Sequence, residues 1–298
     1  MNKELLFKKL ESISNLPTLP AVMQKLGQAI RDPHADAARI AGIIKDDPAM
    51  MTRIIKVVNS SAYGLASPVQ SLQQAISILG ISALNNIALS TAVFSTCSSH
   101  QQAAFDRNAF WRHCICTGIA ANILSKHTRH TIQKRFTKDV LHLCGLLHDI
   151  GKILLDEYHH AEFLEILARA ADRQIPLCQA EFEICGTNHA EIGAWLARRW
   201  NLSDDIIQAI RWHHDPENAD VEHVELLRLC HAANHICNVA NLGFSGDVAP
   251  AFERGVWKRI GLSVSNIHGI VAEVQQEAAQ SETMLAVLAG DRKDGSKS

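Results

Sequence analysis

The sequence predicts an all-α protein, built as a helical N-terminal bundle packed on a second helical core. Three observations carry that expectation. Apolar residues recur at three- and four-residue intervals along most of the chain, the spacing of a helix with one buried face. No segment alternates apolar and polar residues as a half-buried strand would. With 298 residues, 47% of them hydrophobic and 20% charged, the chain has a globular composition and ample length to bury a core.

The elements follow in order. Pro20 suits a first helical turn, and Val22, Leu26 and Ile30 then recur four residues apart. Ile40, Ile43 and Ile44 mark a second helix. Asp47-Pro48 is a start signal, a capping carboxylate followed by a proline whose missing N–H costs nothing there. It opens a third helix with Met51, Ile54, Ile55 and Val58 on one face, and Gly64 closes the run that follows. Further helices are centred on Leu72, Ile76 and Leu79, then on Leu84, Ile87 and Thr91. Beyond residue 100, helices are expected near 108–126, 138–150, 160–173, 187–200, 204–214, 222–238 and 265–279. The division expected is a helical N-terminal subdomain over 1–100, a helical core over 101–290 and a polar tail over 291–298. No internal repeat and no Gly/Ser linker separates the halves, so they are expected to dock tightly.

Charge and cysteine usage narrow the function classes. A net charge of −2 gives no general reason to bind nucleic acid or an acidic membrane. Arg53 and Lys56 share a helix, but two charges do not make a nucleic-acid footprint. Between Val57 and Phe105 there is no Lys, Arg, Asp or Glu. Gln70, Gln73, Gln74, Asn85, Asn86 and several serines interrupt every candidate span, so buried helices are expected and not a membrane crossing. The eight cysteines (Cys97, Cys114, Cys116, Cys144, Cys178, Cys185, Cys230 and Cys237) include no Cys-x-x-Cys pair. They read as reduced core thiols, which implies a cytoplasmic protein. The apolar run in Met1–Lys9 is too short for a signal peptide.

The chemistry concentrates in the second half, where thirteen of the sixteen histidines fall between His113 and His235. The sharpest local signal is Cys144-Gly-Leu-Leu-His-Asp-Ile-Gly-Lys152. Adjacent His148 and Asp149 supply an imidazole nitrogen and a carboxylate at one place, which suits a divalent metal or a pair bridged by the carboxylate. Gly145 and Gly151 are expected to leave room for ions and a ligand. His113 lies mid-helix, His189 opens a helix, and His213 and His214 end one. Inward histidines from four helices are hard to account for by packing alone, since each buried imidazole needs a partner. The mixed nitrogen and oxygen set suits iron, manganese or zinc, as one or two ions. Lys152, one turn from Asp149, is read either as a phosphate contact or as a solvated helix end. His127, His130, His159, His160 and His223 sit among polar residues and are read as outside any site. His142, His231 and His235 stay open.

The order His113, His148-Asp149, His189, His213-His214 resembles the ligand order of the HD superfamily of metal phosphohydrolases. More specifically, the chain from about Leu16 to about Ala240 resembles the HDOD domain. The first half matches through Leu16-Pro-Thr-Leu-Pro20, Asp46-Asp-Pro48, Val57-Val-Asn-Ser-Ser-Ala-Tyr-Gly64 and Ala75-Ile-Ser-Ile-Leu-Gly80. The second half matches through Gly145-Leu-Leu-His-Asp-Ile-Gly-Lys152, His189-Ala-Glu-Ile-Gly193 and Trp212-His-His214. The resemblance implies an all-α fold with a pseudo-HD core, a bacterial origin and a regulatory role without established hydrolase activity. Two departures from active HD enzymes stand out. Those enzymes close the site with an aspartate in an Ala-Asp context on a late helix, where this chain has Ala233-Asn234. Cyclic-dinucleotide phosphodiesterases of the HD-GYP type carry a Gly-Tyr-Pro signature, where this chain continues Ile153-Leu-Leu-Asp-Glu-Tyr158. The expected function is therefore a regulatory, non-catalytic signalling module with a degenerate metal or phosphate site. Its expected partners are signalling proteins, through a surface on the first hundred residues, with a nucleotide or phosphate as ligand. The alternative is a working metal-dependent phosphohydrolase or phosphodiesterase.

Overall fold

Every regular element among the described residues of the computed structural model is helical, and none is a strand. The structure describes residues 2–13, 20–30, 32, 34, 36–59, 65, 67–97, 105–128, 135–253 and 255–280. The Leu16–Pro20 run (apart from Pro20 itself), the Gly64 stop, His130 and the polar tail at 291–298 lie outside the described residues. The chain divides into two units, one of residues 1–16 and 100–276 and the other of residues 17–99 and 277–298.

The first helix, α1 (Lys3–Ser12), belongs to the larger unit. Asn2 caps it by accepting from the Leu5 N–H at 2.8 Å. Leu6 and Leu10 are buried, Phe7 meets Trp195 edge-on at 5.9 Å, and Lys3 pairs with Glu191 at 2.7 Å. No helix was expected from the sequence here.

The smaller unit contains α2 (Ala21–Ile30), α3 (Ala37–Lys45), α4 (Pro48–Val58), α5 (Leu72–Leu79) and α6 (Ile81–Cys97). The start at Asp47-Pro48 is built as the sequence implied, and two further helices are capped in the same way. Asp36, Asp47 and Ser71 accept from the N–H groups of Arg39, Met50 and Gln74, and Pro48 holds the first position of α4. Leu26, Ile40, Ile44, Ile54, Val58 and Leu84 fill its core. Asn59 closes the connection after α4, donating to the Val69 carbonyl at 2.9 Å and accepting from its N–H at 2.7 Å. Gly80, at φ +86°, separates α5 from α6, which diverge by 120°. No single described helix is long and apolar enough to cross a membrane. The charge-free stretch is accounted for by burial, with Leu72, Ala75, Ile87, Ala88 and Val93 all enclosed.

The larger unit is organised around α7 (Arg107–His127), which packs on α8 (Lys138–Leu147) and α14 (Val224–Val239). Between these come α9 (Ile150–Tyr158), α10 (His160–Arg173), α11 (Leu177–Cys185), α12 (His189–Arg199) and α13 (Asp204–Trp212). The short α15 (Gly255–Arg259) and the longer α16 (Val264–Gln280) follow. One helix had been expected over 138–150; the chain instead breaks between Leu147 and Ile150, and α9 and α11 are elements the periodicity missed. Arg107 ties the start of α7 to the end of α9, donating to Asp156 at 2.6 Å and to Glu157 at 2.7 Å.

Glycines let the helices cross with backbones almost touching. A Cβ on Gly145 would lie 2.3 Å from the Gly118 nitrogen, and one on Gly151 would lie 2.0 Å from the His189 carbonyl. The space beside Gly145 and Gly151 is thus filled by neighbouring backbone, which corrects the expectation that it accommodates ions. Gly151→Ala should therefore destabilise the protein by about 1–3 kcal/mol or more through overpacking. Gly42→Ala meets nothing within 4 Å on an exposed face of α3 and should be neutral or stabilising by up to about 1 kcal/mol. Denaturant unfolding midpoints of the two variants check the contrast.

Candidate metal centre

The site begins at the break between α8 and α9. Within one continuous helix, adjacent residues point about 100° apart, so His148 and Asp149 could not share a target. Here His148 caps the C-terminus of α8, and Asp149, at φ −101° and ψ 8°, caps the start of α9. Their side chains meet, with Nε2 of His148 3.3 Å from Oδ2 of Asp149.

The other histidines arrive from different helices. His113 lies mid-way along α7, and His189 is the first residue of α12, whose N-cap Asn188 accepts from the Glu191 N–H at 3.0 Å. His213 caps the end of α13 and His214 follows it. Asp149 Oδ1 is 3.0 Å from His189 Nε2 and 3.4 Å from His213 Nε2. His214 Nε2 stands 2.9 Å from His189 Nε2, and the His113 and His148 rings are 5.4 Å apart. Donor atoms of Asp149, His189, His213 and His214 all fall within 4.8 Å of one another, as do those of His113, His148 and Asp149. The structure therefore gathers all six residues that the sequence singled out, with Asp149 common to both groups.

Three of the imidazoles are oriented from behind. A helix leaves its last carbonyls without intrahelical partners, and histidines at two helix ends use them. His148 Nδ1 contacts the Gly145 carbonyl at 2.7 Å, and His213 Nδ1 contacts the Ile210 carbonyl at 2.8 Å. His189 Nδ1 contacts the Glu181 carboxylate at 2.7 Å, and Glu181 also accepts from the His189 N–H at 2.9 Å. With Nδ1–H donating outward, each ring turns the lone pair of Nε2 toward Asp149, the tautomer a metal ligand needs.

The donor set fits a divalent metal. Both ring nitrogens of His113, Nε2 of His148 and Oδ1 of Asp149 are buried without a hydrogen-bond partner, which is costly unless something else satisfies them. Burial holds His113 and His213 in the neutral form down to a pKa of about 3, and it also pushes His214 well below the usual histidine value. Burial alone would raise Asp149, but His148, Lys152 and His189 outweigh it and hold the carboxylate well below its usual range. His189 moves the other way: burial opposes protonation, yet the Glu181 and Asp149 carboxylates raise it.

Lys152 corrects one sequence alternative. It is no solvated helix end but a fully buried ammonium, donating to Asp149 Oδ2 at 2.6 Å. Asn234 is buried on α14, accepts from Asn238 at 2.9 Å, and lies close enough to His113 to affect its charge, without a well-formed hydrogen bond between them. Among the remaining histidines, His127 is exposed beside Glu273 and His160 pairs with Asp156. His159 and His223 are buried although their chain neighbours are polar. His142 packs against Gly118, and His235 stacks on Phe252 at 3.9 Å.

Sequence reasoning missed Glu181 and Asp247 and left His231 open. Glu181 sits on the buried stripe of α11 with Leu177, Ala180 and Ile184; a carboxylate on that stripe was the available signal. Asp247 is buried, accepts from the Leu177 N–H at 3.3 Å, and acts electrostatically on Lys152. His231 donates from Nδ1 to the His213 carbonyl at 2.7 Å.

An all-α core gathering imidazoles around the carboxylate of one His-Asp pair defines an HD-type helical protein. Within that class the chain belongs to the HDOD domain family, whose profile matches residues 16–216. An uncharacterized protein of Treponema pallidum (strain Nichols) is 29% identical over 224 residues, covering 75% of this chain and 42% of that protein. The chain thus spans less than half the length of that curated relative. An HDOD domain protein of unknown function from Geobacter sulfurreducens matches with a TM-score of 0.78 at 24% identity, over 95% of this chain and 98% of that one. A candidate signal transduction protein from Marinobacter aquaeolei VT8 matches with a TM-score of 0.76 at 20% identity, over 96% of this chain and 65% of that one. At these identities the two structures share the fold.

The neutral histidines predict a pH dependence for metal-free protein. In the unfolded chain a histidine titrates near about 6.5, whereas folded His113 and His213 resist protonation until about 3. Between those values the unfolded state binds more protons, so stability falls as pH drops. Asp149 adds to the loss at the acid end, because its lowered pKa contributes stability only above the usual carboxylate range. His189 opposes the trend, since its raised pKa contributes stability that is lost as pH rises. The unfolding midpoint should therefore decrease from pH 6.5 toward pH 4, and a midpoint constant over that interval would contradict neutral burial of these rings.

Proposed function

We propose that the protein is a regulatory, non-catalytic module of bacterial signal transduction, with a degenerate HD site that holds one or two divalent ions. The observation that supports this most strongly is the unequal completion of the site. His113, His148, Asp149, His189, His213 and His214 converge, while Asn234 stands beside His113 where active HD enzymes are expected to place a carboxylate. An amide oxygen is a neutral and weaker ligand, so an ion on the His113 side has only the shared Asp149 carboxylate to compensate its charge. His189, His213, His214 and Asp149 would hold one ion of the iron, manganese or zinc type. Such an ion, when bound, can polarise a phosphoryl oxygen or acidify a bound water.

The chain's own residues restrain that chemistry. Lys152 already occupies Asp149 Oδ2, and its ammonium is the group best placed to meet a phosphate or nucleotide phosphate arriving at the site. Signalling then proceeds through contacts with partner proteins, the smaller helical unit being the surface proposed for them. The name carried by the Marinobacter neighbour agrees with this reading. The second reading, a working phosphohydrolase or phosphodiesterase, draws on the same six converging residues.

Metal analysis of purified protein, followed by a screen on generic phosphomonoesters, phosphodiesters and cyclic dinucleotides, separates the two. Bound metal with no turnover is expected. Turnover at an ordinary enzymatic rate of about 1–10³ s⁻¹ would establish the second reading instead. His148→Ala combined with Asp149→Ala should remove the metal held by this central cluster, and unchanged content in that folded double variant would reject the site. Asn234→Asp is nearly isosteric and returns one negative charge beside His113. It should raise metal occupancy; the same stoichiometry as in the parent would show that Asn234 contributes nothing to the site.

A further inference from the structure

We propose a second, peripheral metal site at the junction of α13 and α14, formed by Asp204, Glu222 and His223, for a first-row divalent ion such as zinc. The residues come from two places in the chain. Asp204 and Asp205 are the first two residues of α13, and Glu222 and His223 end the turn that leads into α14.

The ring of His223 carries the argument. Only 7% of the residue is exposed. Its Nδ1 lies 3.1 Å from Oδ1 of Asp205 and donates to it, so Nε2 points the other way. In that direction stand Oδ2 of Asp204 at 3.2 Å and Oε1 of Glu222 at 3.1 Å. Neither contact has the alignment of a hydrogen bond, and Nε2 is a buried nitrogen with no hydrogen-bond partner. Two carboxylate oxygens facing one ring nitrogen call for a positive charge between them. A cation between them turns the same arrangement into three favourable contacts, and the three donor atoms already lie within 4.8 Å of one another.

The chemistry of the set selects the ion. One imidazole and two carboxylates suit zinc and its first-row neighbours rather than magnesium or calcium, which prefer oxygen alone. Asp205 behind Nδ1 completes a carboxylate–histidine–metal relay of the kind that fixes a ligand's tautomer. The Asp204 and Glu222 side chains are 65% and 73% exposed, so water can fill the remaining positions and the ion can exchange with solvent. Neither carboxylate is paired with a lysine or arginine among the described residues. The nearby Arg135 is engaged by the Glu225 carboxylate and the Glu222 carbonyl instead. Asp204 and Asp205 also complement the positive end of α13, as acidic residues in a first turn commonly do; that does not account for the orphaned Nε2. An ion here would clip the start of α13 to the start of α14, the helices that carry His213 and Asn234 toward the central site.

The test uses the full chain with Asp149→Asn and His189→Ala, which disables the central site and keeps the outcome independent of it. Chelator-treated protein is titrated with zinc alone against a chromophoric competitor. One equivalent of bound zinc is expected. Asp205→Asn should weaken it by about 10–100-fold, as loss of an orienting carboxylate does, and His223→Ala should remove it. Because His223 is buried and its loss could perturb folding, Asp204→Asn with Glu222→Gln provides the deciding variant: both side chains are exposed, and zinc binding should again be lost. Absence of zinc binding in the Asp149→Asn, His189→Ala background, or binding unaffected by the exposed pair of substitutions, would overturn the proposal.

Discussion

The carboxylate of Asp149 is the constraint on which the rest of the larger unit depends. A buried carboxylate without compensation costs several kcal/mol even after the surroundings relax. Here Lys152 meets one oxygen at 2.6 Å, while His189 and His213 approach the other at 3.0 and 3.4 Å. Each of those groups is buried as well, and each needs its own support. Glu181 stands behind His189, and the Ile210 carbonyl stands behind His213. The groups around Asp149 come from the ends or starts of α8, α9, α12 and α13 and from one buried face of α11.

Helix ends do the positioning for a physical reason. The terminal carbonyls of α8 and α13 have no partner of their own, and an imidazole three residues further on supplies one while its second nitrogen turns to the site. Capping and ligand orientation are the same contact. Close crossings complete the geometry, since α7 meets α8 at Gly118 and Gly145, and α9 meets α12 at Gly151 and Gly193. The motif glycines thus bring ligand-bearing helices together rather than making room for what they bind.

The two sides of the His/Asp cluster in this HDOD domain are supported differently. The side built from His189, His213, His214 and Asp149 has an orienting hydrogen bond behind two of its imidazoles, whereas His113 has no hydrogen bond at either ring nitrogen and an uncharged amide nearby.

The helical class, the start at Asp47-Pro48, and the gathering of His113, His148, Asp149, His189, His213 and His214 were legible in the sequence, because local periodicity, caps and a spaced motif are properties of neighbouring residues. What the sequence left undetermined is whatever depends on neighbours far apart along the chain. The break after Leu147 interrupts an unbroken apolar pattern, and only the convergence on Asp149 makes it favourable. Glu181 was hidden within a helix whose apolar stripe it interrupts, and Lys152 was indistinguishable from a solvated helix end until α12 and its neighbours closed over it. His159 and His223 have polar flanks yet are buried, because burial is decided by the helices packed against a residue and not by the residues beside it. Sequence alone determined which side chains can bind an ion; tertiary packing decided which of them face it, which tautomers they hold, and which charges offset one another.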